Sequence, residues 1–229
     1  MSRQTQNFGN TLIQRWTFRY GRRLLDAFVR VSVTGREHLP ASGPFLLAAN
    51  HVSHFDPPLL TLAADRWIDW VAMAELYRHR LFAAYLRALA AIPLDRARRD
   101  RAATAAVLRH LRVGRVVGIF PEGGIRAGRE GVLGGAPLDT GACRLALAAG
   151  VPIVPAVIRG SEKLYPVGGW LVPGRAPVVE VIFGAPLVIE SGGEGNKADA
   201  ARLTVILGET LRELDRQAGP LLAGKERVS

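Results

Sequence analysis

A histidine and an aspartate stand in an HxxxxD spacing, His51 and Asp56, within the run NHVSHFDPP. A loop of that length can fold back so that the carboxylate accepts a hydrogen bond from one imidazole nitrogen. The other nitrogen is then left to take a proton from a substrate hydroxyl. A carboxylate so placed fixes the tautomer and stabilises the imidazolium that forms. The dyad has the logic of a serine-protease triad with the attacking hydroxyl on the substrate, and so predicts direct transfer; a serine hydrolase is disfavoured because no GxSxG elbow occurs in the chain. His54 lies in the same loop and competes for the role. A plainer reading has Asp56 only capping the following helix and His51 only satisfying backbone groups.

Two further segments carry chemistry. In IFPEGGIRAG, Glu122, Gly123, Gly124 and Arg126 follow an apolar run. Glycines let backbone N–H groups approach an anion closely, and arginine binds phosphate through two parallel hydrogen bonds. Glu122 fits beside them if it binds a substrate hydroxyl or holds an arginine in place. In PLDRARRDR, Arg96, Arg98, Arg99 and Arg101 crowd together, and Arg96, nearest the preceding strand, is the candidate for phosphate.

These residues need a scaffold that brings them to one end. PFLLAAN, DWVAMA, AIPL, RVVGIF, VPIVPAVIR and APVVEVIFG read as strands, several of them apolar throughout and so buried on both faces, and RVSVTG precedes them as a shorter one. Between them lie helical runs: PPLLTLAAD, opened by Asp56 and Pro57, then RLFAAYLRALA, DRAATAAVLRHLR, and TGACRLALAAG closed by Gly150. ADAARLTVILGETLRELDRQAG is a C-terminal amphipathic helix. The alternation predicts an α/β fold with a largely parallel central sheet flanked by helices, whose ligand sites gather beyond the carboxyl ends of the strands. The loops after residues 49 and 120 both leave such ends.

Residues 8–30 read as a further helix, with Leu12, Ile13, Trp16, Tyr20, Leu24 and Phe28 on one arc and Arg15, Arg19, Arg22 and Asp26 opposite. This is the pattern of an interfacial membrane helix, and equally of one packed on its own domain. The expected organisation is an N-terminal amphipathic segment over 1–30 and a single α/β domain over 31–229.

With 229 residues, 48% hydrophobic and 22% charged, the composition is that of a folded chain. No apolar run reaches the roughly 18 residues of a bilayer span, and no signal-peptide pattern opens the sequence, so the chain is expected to stay in the cytoplasm. The lone Cys143, in an apolar stretch, reads as a buried thiol, which excludes disulfides and thiolate metal sites. A net charge of +10 favours polyanionic partners: phosphorylated substrates, anionic lipid headgroups or nucleic acid. Nucleic acid is disfavoured because aromatics are not interleaved with the basic residues. Nucleotide phosphate sites are disfavoured because neither a Walker loop nor GxGxxG occurs.

Together the segments resemble the glycerolipid acyltransferases of the 1-acylglycerol-3-phosphate type. NHVSHFD is similar to the family's first motif, NHxxxxD, and FPEGGIR to its third, FPEGTR. IPLDR resembles the second, which ends in arginine, and VPIVPAVI the fourth, an apolar proline-bearing strand. All four come in family order over about residues 45 to 160.

The resemblance implies that His51 is the base that deprotonates an acceptor hydroxyl and that Asp56 orients it. The hydroxyl attacks the thioester of acyl-CoA or acyl carrier protein, which is a substrate; no cofactor or metal is implied. Arg96, Glu122, Gly123, Gly124 and Arg126 would hold the phosphate or glycerol of a lyso-phospholipid, 1-acylglycerol-3-phosphate, giving phosphatidic acid. Pro152 to Pro155 would shape the pocket wall, and the N-terminal helix would dock on the membrane surface.

Two departures bear on the acceptor. Arg126 is displaced by one residue from the family pattern, because Gly124 and Ile125 stand where Thr is usual. PLDTGA carries Asp139 and Thr140 where a lysine is common. Another lyso-lipid, an aminolipid or glycolipid, is therefore the alternative acceptor. A non-catalytic lipid- or nucleic-acid-binding domain is a further alternative.

Overall fold

The computed structural model describes residues 12–95, 100–164, 177–188 and 197–220. In chain order the elements are α1 (Leu12–Phe28), β1 (Arg30–Thr34), β2 (Leu46–Ala49), α2 (Asp56–Ala64), β3 (Ile68–Met73), α3 (Arg80–Ala88) and β4 (Ile92–Leu94). There follow α4 (Arg101–Arg112), β5 (Val116–Ile119), α5 (Gly141–Ala149), β6 (Ile153–Arg159), β7 (Val178–Phe183) and α6 (Lys197–Gln217).

The seven strands form one sheet in the order β1-β7-β6-β2-β5-β3-β4. Strands β6, β2, β5, β3 and β4 are mutually parallel; β7 runs antiparallel to β6 and carries β1 parallel to itself. The sheet is thus largely parallel, as its apolar strands imply. Strand β2 shows why such strands do not alternate: all four of its residues are buried. Phe45, Leu47 and Ala49 face Leu59, Leu60 and Ala63 of α2, while Leu46 and Ala48 face Cys143 and Ala146 of α5 and Leu207 of α6. Helix α4 joins this second face through Val107 and Leu111, which pack on Ile92 and Val117.

Helix α1 lies against α2 and β1, and Arg22 on it pairs with Asp65 at the end of α2 at 3.1 Å. Its packing line is unexpected. Gln14 and Phe18 are buried, whereas Leu12, Trp16 and Tyr20 are 72%, 53% and 46% exposed. Trp16 and Tyr20 stack on each other at 4.6 Å on that outward side. The first part of the apolar arc seen in the sequence, Leu12 to Tyr20, therefore points away from the domain, while Phe28 at its far end packs on the core. Among the described residues no helix is long and apolar enough to cross a membrane.

Beneath the sheet's carboxyl end, Asp69 near the start of β3 is wholly buried. Its carboxylate accepts from Arg115 Nη2 at 2.6 Å and from Arg115 Nε, and it lies 2.8 Å from His110 Nδ1. This ties the end of α4 and the start of β5 to β3.

Candidate active site

Strand β2 ends beside β6, where the side chain of Asn50 replaces the ladder. Its Nδ2 donates to the Ile158 carbonyl at 2.9 Å and its Oδ1 accepts from the Ile158 amide at 2.8 Å. Both groups are buried, so this clamp fixes where the following loop starts.

In that loop His51 Nδ1 lies 2.8 Å from Asp56 Oδ2. The same oxygen accepts from the amides of Val52 at 2.7 Å and Ser53 at 2.8 Å, and Oδ1 accepts from Ser161 Oγ at 2.5 Å. Asp56 is fully buried, and the His51 side chain keeps 15% exposure. A carboxylate only accepts, so Nδ1 carries the imidazole proton and Nε2 keeps a lone pair. His54, the competitor, is exposed.

Asp56 does not cap its helix as the sequence suggests. A cap accepts from the second or third helical amide. Here Pro57 and Pro58 have no N–H, and the Leu59 amide bonds the Phe55 carbonyl at 3.1 Å. With no donor ahead of it, the carboxylate turns back to the amides behind it and to His51.

The ring of His51 lies flat on Phe120, centroids 3.9 Å apart, and Phe120 in turn stacks on Trp70 at 4.6 Å. Trp70 Nε1 donates to Thr61 Oγ1 on α2 at 2.9 Å. Room for the indole comes from Gly118 on β5: a Cβ there would fall 2.6 Å from Trp70 Cε3 and 2.8 Å from Ile68 Cγ2.

The loop after β5 is stitched to this one. Glu122 Oε2 accepts from the His51 amide at 2.9 Å, and Oε1 accepts from the Val132 amide at 2.7 Å. Burial pushes the Glu122 carboxyl above its ordinary value, with the two amides and the neighbouring His51 pulling the other way. The amide of Arg126 donates to the His51 carbonyl at 2.8 Å. Arg126 therefore leaves the backbone beside His51, and its side chain is exposed. Gly123 adopts φ +71, which glycine permits, and its amide closes a turn on the Phe120 carbonyl at 3.1 Å. Gly124 is half-buried in the same turn.

The sequence profile of the acyltransferases matches residues 30–159, more than half of the chain and the whole stretch from β1 to β6. The chain belongs to the acyltransferase family. As an acyltransferase it has relatives of similar extent. It is 26% identical over 196 residues to a 1-acyl-sn-glycerol-3-phosphate acyltransferase of Bacillus subtilis (strain 168), covering 83% of this chain and 91% of that one. A protein of the same name from Borreliella burgdorferi is 26% identical over 142 residues, covering 61% and 55%. The crystal structure of the 1-acyl-sn-glycerophosphate acyltransferase PlsC from Thermotoga maritima shares the fold, with a TM-score of 0.64 at 23% identity over 92% of this chain and 81% of that one.

In this acyltransferase His51, Asp56, Glu122, Gly123, Gly124 and Arg126 come together at the carboxyl ends of β2 and β5. Arg96 lies outside the described residues. The ends of its loop meet where Asp100 Oδ2 accepts from the Asp95 amide at 3.0 Å, while Oδ1 caps α4 through Ala103 at 2.9 Å. Glu122, expected at a substrate hydroxyl or an arginine, accepts from a backbone amide at each carboxylate oxygen and so braces two loops. Asn50, Trp70, Gly118, Phe120 and Ser161 escaped the sequence reading. Only the Asn50–His51 and Phe120–Pro121 adjacencies within the motifs signal any of them.

Proposed function

We propose that this acyltransferase moves an acyl group from acyl-CoA or acyl carrier protein to a hydroxyl of a lyso-phospholipid, 1-acylglycerol-3-phosphate, giving phosphatidic acid. His51 Nε2 takes the hydroxyl proton as the oxygen attacks the thioester carbonyl. The C–O bond forms, the tetrahedral intermediate collapses, the C–S bond breaks, and the thiolate leaves with the proton that His51 returns. Asp56 holds the ring and stabilises the imidazolium. The transfer balances without a metal or redox cofactor.

The observation that carries this reading is the 2.8 Å contact of His51 Nδ1 with the buried Asp56, which leaves Nε2 as the base. Arg126, anchored to the His51 carbonyl, is the phosphate ligand this reading favours, with the Gly123–Gly124 turn beside it; Arg96 is the second candidate that the sequence offers.

The membrane surface is the proposed place of reaction, on its cytoplasmic side. The outward arc of α1 supports it. So does α3, where Leu81 is 89% and Tyr85 43% exposed, next to exposed Arg78, His79 and Arg80. Apolar and aromatic side chains flanked by basic ones suit an anionic bilayer.

A lyso-aminolipid acceptor is the second reading, favoured by Asp139. This exposed carboxylate is held near the site because its amide donates to the Pro121 carbonyl at 3.0 Å, though Oδ1 already accepts from Gly141 at 2.6 Å.

The test is a mass-spectrometric assay of purified protein with acyl-CoA, acyl carrier protein and a panel of lyso-lipids. Acylation of 1-acylglycerol-3-phosphate, lost in His51→Ala by roughly 10²- to 10⁴-fold, is the expected result. Turnover of a lyso-aminolipid alone would select the second reading, and full activity of His51→Ala would overturn the mechanism.

A further inference from the structure

We infer that Ser161 is a positioning residue for the reaction, acting through Asp56 on His51. The inference rests on the assignment of His51 as the base. Ser161 lies 105 residues beyond Asp56 in sequence, outside the NHVSHFD, FPEGGIR and VPIVPAVI segments. Strand β6 ends at Arg159, and Gly160, with φ +84, turns the chain so that Ser161 reaches back beneath the loop. Both Ser161 and Asp56 are wholly buried, and the hydroxyl donates to Asp56 Oδ1 at 2.5 Å.

The division of labour at Asp56 makes this contact more than a filled hydrogen-bonding site. Oδ2 already accepts from His51 and from two amides of its own loop. Those three bonds would let the carboxylate pivot about Oδ2. Ser161 is the donor on Oδ1, and it comes from the segment that follows β6, so it sets the carboxylate plane and with it the direction from which Nδ1 is held. The Asn50 clamp on Ile158 fixes β6 against β2 three residues earlier. The hydroxyl thus arrives on a rigid support. The imidazolium that forms during proton transfer meets a carboxylate already in its final orientation, with no reorientation needed at that moment.

Ser161 is wholly buried behind Asp56, so its loss is expected in kcat and not in KM. In Ser161→Ala, kcat falls roughly tenfold with KM for acyl donor and acceptor unchanged, a buried hydrogen bond to a charged group being of that order. Ser161→Thr keeps the hydroxyl and restores most of the lost kcat. The proton on His51 Nδ1, followed by NMR at low field, shifts in Ser161→Ala and returns in Ser161→Thr. His51→Ala is measured alongside. If it is inactive while Ser161→Ala turns over at the wild-type kcat with an unmoved Nδ1 proton, the role of Ser161 falls and the base stands. If His51→Ala is active, the base assignment falls first. Equal losses of kcat in Ser161→Ala and Ser161→Thr, with the Nδ1 proton unchanged in both, would also overturn the inference.

Discussion

The amide of His51 donates to the carboxylate of Glu122 at 2.9 Å, across 71 residues of sequence. His51 is therefore held from two sides: its ring by Asp56, its backbone by Glu122. Glu122→Ala would leave the His51 and Val132 amides without this acceptor, at about 1–3 kcal/mol each where no water replaces it. Chemical denaturation of the variant checks this.

The same carboxyl makes a pH signature. Burial raises it above the ordinary 4.5, so the folded chain keeps the proton to higher pH than the unfolded chain does. Stability therefore falls as pH rises, from 4.5 up to the raised folded value, and the full penalty persists above it. Glu122→Gln does not titrate. Wild type is expected to lose ground to this variant as pH rises across that window alone, read from urea midpoints. A difference constant with pH, or of opposite slope, contradicts it.

Gly118→Ala tests the aromatic stack. Its Cβ would meet Trp70 at 2.6 Å, so the indole must move, and Phe120 and His51 rest in turn on that indole. We expect a loss of about 1–3 kcal/mol from overpacking, together with lower turnover per folded molecule. Wild-type turnover with lost stability would confine the stack to a packing role.

Arg115→Leu should do the opposite. It strands the buried Asp69 beside His110, away from the His51 loop, at a cost of about 3 kcal/mol. Turnover per folded molecule stays unchanged, and thermal unfolding measures the cost.

On α1 two aromatic residues separate two roles. Trp16→Ala, at an exposed position, should leave the unfolding midpoint nearly unchanged and weaken sedimentation with anionic vesicles. Phe18→Ala, at a buried one, should destabilise the chain by about 3 kcal/mol. Equal vesicle binding by wild type and Trp16→Ala would show that this face does not dock.

The layered α/β fold was legible because strands such as LLAA are apolar on both faces and the helices between them end in clear signals such as Gly150. The place of β1 was not. It precedes β2 in the chain yet lies beyond β7 and β6, and strand partners depend on contacts that periodicity does not encode. His51, Asp56, Glu122 and Arg126 were legible because each belongs to a short run. Ser161, Trp70 and Gly118 were not, since their importance lies in contacts with side chains far along the chain. The turn of Asp56 toward His51 was legible from the HxxxxD spacing, while its capping of α2 was ruled out by the two missing proline N–H groups, which the plainer reading did not count.

The outward arc of Leu12, Trp16 and Tyr20 also changes what a rate measurement means. On the proposed docking, the chain meets its acceptor within a plane, so the quantity that governs encounter is the acceptor's mole fraction in the bilayer, not its amount per litre. Adding inert lipid at constant total acceptor would slow turnover, and an apparent KM in molar units would vary with the vesicles used. Only surface density would give a constant that belongs to the protein.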